Sequence, residues 1–235
     1  SNITICFLVL ILHYINCKTF NYGAGLFPFE RKFERYEFES AQEIKSIAEN
    51  SFNRFILTED GAIYSQGIDN DVGQLGNGIF GVVTAGAEDL FRVVHAQFWL
   101  PPPMFIHLAQ YNIRETVAAI TNNGELYLWG KGAVGLFEKP SEYAVEFKLS
   151  NVTSVATSNQ KVIFAVSNKT MLYGWGPDII LYQNRTCNSS NLCLLYEFKN
   201  MEIVTIMWYE SNNLFIEPIL FILVNNGSLY ILKET

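Results

Sequence analysis

One short phrase recurs along this chain of 235 residues and restricts the fold more than any other feature. A glycine is followed three positions on by tyrosine and six positions on by a second glycine. The phrase stands at Gly61, Tyr64 and Gly67, and again at Gly124, Tyr127 and Gly130. Thr170, Tyr173 and Gly176 repeat it with threonine in the first place, and Gly227, Tyr230 and Lys233 repeat it with lysine in the last. Each copy follows an apolar run, so each reads strand, tight turn, strand. Asn-Gly between apolar runs is a strong hairpin signal, and a two-residue turn of that kind needs φ > 0 at both central positions. The predicted turns are Asp60-Gly61, Asn123-Gly124, Lys169-Thr170 and Asn226-Gly227. Such periodicity marks a repeat protein, whose units bury their cores only against one another.

Glycine-rich loops follow the same frame. Tyr22-Gly23 leads into AGLFP, Gly67 into IDNDVGQLGNG and Gly130 into KGAVGLF. Counting between Gly23, Gly67, Gly130, Gly176 and Lys233 gives units of 44, 63, 46 and 57 residues. These four units suit one structural repeat each, and the frame places a strand over residues 44–48. The two long units carry insertions. One holds Phe98, Trp99, Leu100, Pro101, Pro102 and Pro103, where the proline run forbids a central strand and favours an extended loop. The other runs from Asn184 to Cys193. Insertions in repeat proteins usually map to one face, often the binding face. Residues 19–22 match the strand before a glycine loop, and the last unit has no such loop. The first residues are therefore expected to complete the last unit, leaving no open sheet edge.

Gly73-Gln74-Leu75-Gly76, with Gly67 and Asn70 before it, resembles the regulator of chromosome condensation repeat. Tyr127-Leu128-Trp129-Gly130 and Tyr173-Gly174-Trp175-Gly176 resemble the end of that repeat. The resemblance implies an all-β fold: a β-propeller of about four such repeats, either small and closed or part of a larger one. It covers nearly everything from Tyr22 to Lys233. The family's best-known activity, guanine-nucleotide exchange with chromatin binding, is what the resemblance implies as an alternative function. None of the exchange residues can be placed on a position here.

Residues 1–17 read as a secretory signal peptide, leaving 18–235 as the propeller domain. The apolar stretch of residues 5–15 is too short to span a bilayer, which needs about 20 residues, and suits the core of a signal. No stable membrane insertion is expected once it is removed. Glycan acceptor sequons beyond it lie at Asn151, Asn168, Asn184, Asn188 and Asn226. Asn168 and Asn226 fall on hairpin turns. Loss of residues 1–17 removes Cys6 and Cys17, leaving Cys187 and Cys193 in one polar loop. In a secreted chain that pair suggests a disulfide. The expected location is the secretory lumen or the cell exterior.

The net charge of −7, from 16 basic and 23 acidic residues, argues against a nucleic-acid partner, which needs a basic face. Residues 130–135 satisfy G-x-G-x-x-G, but Pro140 spoils the helix a dinucleotide site requires. Asp69, Asn70 and Asp71 read as a turn rather than a calcium loop. His95 and His107 sit in apolar surroundings, and no nucleophile elbow or zinc-protease motif occurs. No metal, cofactor or catalytic residue is expected. The in-frame aromatics read as blade core.

These observations point to a secreted, non-catalytic propeller that binds a protein partner. The binding residues expected are Phe98, Trp99, Pro101, Pro102 and Pro103, because Trp beside a rigid proline run makes a good interface anchor. A second alternative is an extracellular hydrolase with a carboxylate pair at the central channel.

Overall fold

The computed structural model describes residues 19–23, 33–37, 43–49, 53–67, 69–79, 81, 91–94, 103–109, 116–131, 141–158, 162–176, 179, 192–209 and 218–233. These form strands and turns. β1 (Thr19–Gly23) pairs antiparallel with β2 (Phe33–Glu37) as a two-stranded sheet. Blade one is a meander of β3 (Ile44–Glu49), β4 (Asn53–Thr58), β5 (Ile63–Gly67) and β6 (Phe91–Arg92). Blade two holds β7 (Phe105–Ala109), β8 (Thr116–Thr121), β9 (Leu126–Gly130) and β10 (Ser141–Phe147). Blade three holds β11 (Val152–Thr157), β12 (Ile163–Ser167), β13 (Met171–Trp175) and β14 (Cys193–Glu197). Blade four holds three strands, β15 (Ile203–Tyr209), β16 (Ile219–Val224) and β17 (Leu229–Lys233). The first strands β3, β7, β11 and β15 approach one another in succession, which makes them the inner ring of a four-blade β-propeller.

All four predicted hairpin turns are present, but their geometry divides. At Gly61, Gly124 and Gly227 only the glycine has positive φ, at 81°, 77° and 84°. Gly61 N–H donates to Thr58 O and Thr58 N–H to Ala62 O, the pattern of a type I turn closed by a left-handed glycine. The turns at Gly124 and Gly227 repeat it. Where threonine replaces glycine, two residues go left-handed instead: Asn168 at 51° and Lys169 at 61°. The two-positive-φ turn predicted throughout is therefore found only in the blade without glycine.

The blades meet through alternating side chains. Phe55, Leu57 and Ile63 of blade one pack on Phe105, Val117, Ala119 and Trp129 of blade two. Ala118, Ile120 and Leu128, on the other face of blade two, pack on Val155, Ile163 and Trp175 of blade three. Phe164 and Val166 pack on Ile206, Trp208 and Ile222 of blade four. Successive residues of one strand thus serve two different cores, as period-two alternation requires.

The turns stitch the blades as well. Phe105 N–H donates to Gly61 O at 3.0 Å and Val152 N–H to Gly124 O at 2.9 Å. Ile203 N–H donates to Lys169 O. In each case the first residue of an inner strand bonds the hairpin of the preceding blade.

Two expectations need correction. The first strand does not complete the last blade: β1 pairs with β2, and β17 pairs with β16. The reason lies in the repeat frame. β1 precedes a glycine loop and pairs with the strand after it, as β5 does with β6 and β9 with β10. It is a third strand, like β17, and cannot supply the fourth. Nor do the two insertions share a face. Val94 and Pro103 flank the first at the hairpin-turn end, where Val93 N–H bonds Ile63 O. Gly176 and Leu192 flank the second at the opposite end, where β13 finishes and β14 begins.

Candidate functional site

The hairpin-turn end of the inner ring carries a repeated irregularity. Pairing of β3 with β4 jumps from Ile44–Thr58 to Ser46–Leu57, leaving Lys45 as an extra residue. The same jump leaves Ile106 extra in β7, Thr153 in β11 and Val204 in β15. All four bulged residues are exposed. A bulge twists its strand and re-aims one side chain away from the packing faces. Here it does so at the same place in four successive blades, next to the turns that join them.

Blade two has the most apolar part of this rim. Met104 and Ile106 are 44% and 41% exposed on either side of buried Phe105. Asn122 Nδ2 reaches Met104 Sδ at 3.7 Å, and Asn122 N–H donates to Met104 O at 2.9 Å, so the hairpin holds this residue in place. Pro103, half-buried, leads directly into it. Phe98, Trp99, Pro101 and Pro102 lie outside the described residues. The structure thus delivers the end of the expected binding loop to an exposed apolar rim without describing the loop itself.

Asn151 and Asn168 meet at this end, Asn151 Nδ2 donating to Asn168 Oδ1 at 2.9 Å. Both are exposed, as is Asn226 on the turn of blade four. Asn184, Asn188 and Cys187 fall outside the described residues, and Cys193 is buried at the start of β14. The side chains of His95 and His107 also lie outside the description.

The glycine loop is committed to structure. Asn70 Oδ1 accepts from Leu75 N–H and Asn70 Nδ2 donates to Ile79 O, both at 2.9 Å. Gln74 accepts from Val72 N–H and donates to Asp69 Oδ1, also at 2.9 Å. Gln74 O receives the indole N–H of Trp129 at 2.9 Å. These amide side chains are taken up by the loop itself and hold its turns.

Among the described residues no group of three or more His, Cys, Asp or Glu could hold a metal. Of the inner strands, β3 ends on Glu49, while β7, β11 and β15 carry no carboxylate. Burial, helped by the charges of Glu125 and Glu146, raises the Tyr127 hydroxyl above 10.0. It stays neutral and packs edge-on against Phe105 at 5.4 Å. The bulge rim escaped sequence reasoning because no residue type marks a bulge. It arises from strand register, and FIHLA reads as uniformly apolar.

No protein-family profile matches the chain, and no curated protein matches its sequence. Solved structures do. Human WBSCR16 superposes with a TM-score of 0.67 at 16% identity, over 90% of this chain and 54% of its own. Yeast RCC1 (Prp20), in its crystal structure bound to Kap60, superposes at 0.55 and 18% identity, over 75% of this chain and 42% of its own. A second Saccharomyces cerevisiae Prp20p structure gives 0.54 at 17%, over 74% and 43%. This chain has the β-propeller fold of RCC1. The propeller fold expected from the repeats is thus the fold found. The chain spans about half the length of these propellers.

Proposed function

We propose that this RCC1-like propeller is a non-catalytic scaffold that binds a protein partner through the hairpin-turn end of blade two. The observation that carries the reading is the exposed Met104–Ile106 rim at the foot of the 98–103 insertion. An apolar rim held by a rigid blade, beside a proline-restrained loop, limits the entropy lost on binding. The fold likeness agrees: yeast RCC1 (Prp20) is bound to Kap60 in one solved structure, and Prp20p binds Gsp1p and histones. The exchange and chromatin alternative draws on the same likeness, but no residue of this chain is assigned to that work.

The reading places the protein in the secretory lumen or outside the cell, with residues 1–17 as signal and 18–235 as propeller. Exposure of Asn151, Asn168 and Asn226 supports their use as glycan sites, alongside Asn184 and Asn188. The buried and disulfide-bonded state of Cys193 supports a bridge to Cys187. Glycosidase treatment of natively expressed protein should increase its mobility, and an unchanged mobility rejects the compartment. Trp99→Ala tests the binding loop. Partner affinity should fall by about 2 kcal/mol or more while thermal stability holds. A large loss of stability with unchanged binding rejects the loop as the recognition site.

A further inference from the structure

We propose that the Met104–Ile106 rim takes a segment of another protein that presents an aliphatic side chain flanked by lysine or arginine. The proposal rests on the reading of that rim as the binding surface and adds the chemistry of its occupant. The apolar residues lie between two hairpin turns. Phe105 N–H donates to Gly61 O, and a Cβ on Gly61 would stand 2.5 Å from the Met104 side chain, so Met104 sits against the turn of blade one. Asn122 N–H donates to Met104 O, which ties the same residue to the turn of blade two.

The two turns differ in charge. Glu59 and Asp60 immediately precede Gly61, and both are exposed. Glu59 N–H donates to Glu43 O at 2.9 Å, which sets a third exposed acid beside them. The turn of blade two presents Asn122 and Asn123, exposed and uncharged. Bulged Lys45 is exposed two residues after Glu43. Among the described residues of this sector, three carboxylates therefore stand against one ammonium. Elsewhere on the rim the apolar and acidic features separate. Bulged Thr153 is polar. Bulged Val204 is exposed and apolar, but Lys169 lies 3.3 Å from Glu202 nearby and balances it. Lys148 follows β10, the outer strand of blade two.

Charge complementarity selects the occupant. An apolar anchor gains most when the groups around it are also met by the partner and water is excluded. Carboxylates at the edge of such a contact favour a partner of opposite charge and penalise one of like charge. Lysine and arginine suit this edge twice over, since their methylene stems can lie along Met104 while their charged heads reach the acids. A second copy laid rim to rim would bring the same acids together in a chain of net charge −7. Nucleic acid and anionic lipid are disfavoured for the same reason.

Fluorescence anisotropy of the full chain with a short labelled peptide of alternating lysine and leucine tests this. Binding is expected, weakening as salt rises from about 0.05 to about 0.5 M. The same peptide with glutamate for lysine should not bind at low salt. Glu43→Gln and Glu59→Gln should each weaken the lysine peptide by about two- to fivefold, the scale of an exposed pair. Met104→Ser and Ile106→Ser should weaken it more. Glu197→Gln, at an exposed position on β14 of blade three, should leave it unchanged. Binding that falls in both serine variants but ignores salt and both glutamine variants keeps the rim and overturns the basic partner. Binding indifferent to both serine variants rejects the rim itself, and the proposal with it. No binding of the lysine peptide, or equal binding of the glutamate peptide, overturns the proposal. So does self-association in sedimentation that Met104→Ser abolishes, because a second copy would then occupy the rim.

Discussion

The junction of blades one and two and the junction of blades two and three are built on one plan and finished differently. Both bury a tryptophan from the third strand of the later blade. Trp129 packs edge-on against Phe55 with centroids 6.3 Å apart, and its indole N–H donates to Gln74 O. Trp175 stacks on Phe147 at 4.7 Å, nearly parallel, and its buried indole nitrogen has no partner among the described residues. The first junction has the Gly73-Gln74-Leu75-Gly76 loop; the second has KGAVGLF in the corresponding stretch. In blade four Leu232 takes the tryptophan place and brings no polar atom to satisfy. Shape and apolar area therefore hold the blades together in all three cases. The glycine loop adds polar satisfaction to a packing that does not depend on it.

Glycine replacement should break this comparison most strongly. A Cβ on Gly73 would stand 2.7 Å from the Glu142 backbone and 2.8 Å from Ser141 O, with φ at +78°. Neither neighbour is a flexible side chain, so blade two must shift. Gly73→Ala should cost about 3 kcal/mol, summing strain and overpacking. Gly227 has nearly the same backbone conformation and open space around it. Gly227→Ala should cost about 1 kcal/mol, the conformational part alone. Denaturant unfolding of the two variants measures the gap. Equal losses would mean that the loop does not press on blade two.

The tryptophans give a smaller and more selective contrast. Trp129→Phe and Trp175→Phe remove similar volume from similar cores. Only the first strands a carbonyl, at Gln74, that had been satisfied. The second removes a buried donor that has no partner among the described residues. Trp129→Phe should therefore be the more destabilising, by about 1–3 kcal/mol, the desolvation cost of an unpaired buried group. Equal losses in thermal or chemical unfolding would show that the Trp129–Gln74 bond contributes nothing net.

Much of this plan was legible in the sequence. Four turns, the strand over residues 44–48 and the core role of Trp129 and Trp175 follow from a repeated phrase whose spacing is physical. The errors share one cause. The phrase identifies a third strand and its loop but not what that strand pairs with. The phrase therefore assigns β1 to the blade that lacks a fourth strand, although its own ending in Tyr22-Gly23 marks it as another third strand. Insertions were recognisable by length, yet which end they leave from depends on strand direction. The candidate site was the least legible part. Met104 and Ile106 look like core, and only the extra residue in β7 turns one of them outward.

The smallest effect concerns the one turn without glycine. Lys169 holds φ at 61°, a left-handed conformation that an ordinary side chain adopts at a cost of about 1–2 kcal/mol. Asn168 beside it is better suited, since Asn tolerates this region. The strain at Lys169 persists because its surroundings fix it: its carbonyl accepts from Ile203 N–H of blade four, and its Nζ lies 3.3 Å from Glu202. Those partners are unequal. The carbonyl bond belongs to the backbone and survives any substitution, while the ion pair has both side chains more than half exposed and is worth little in water. Lys169→Gly therefore relieves strain, loses a weak pair and adds chain entropy to the unfolded state, a cost of about 0.5–1 kcal/mol. The balance is a gain of about 0.5 kcal/mol, read as a small rise in melting temperature. The same substitution at Lys148, exposed before Leu149 with no positive φ, should lower stability by the entropy cost. If both replacements destabilise equally, the left-handed turn at Lys169 carries no strain, and the three glycine turns hold no advantage over it.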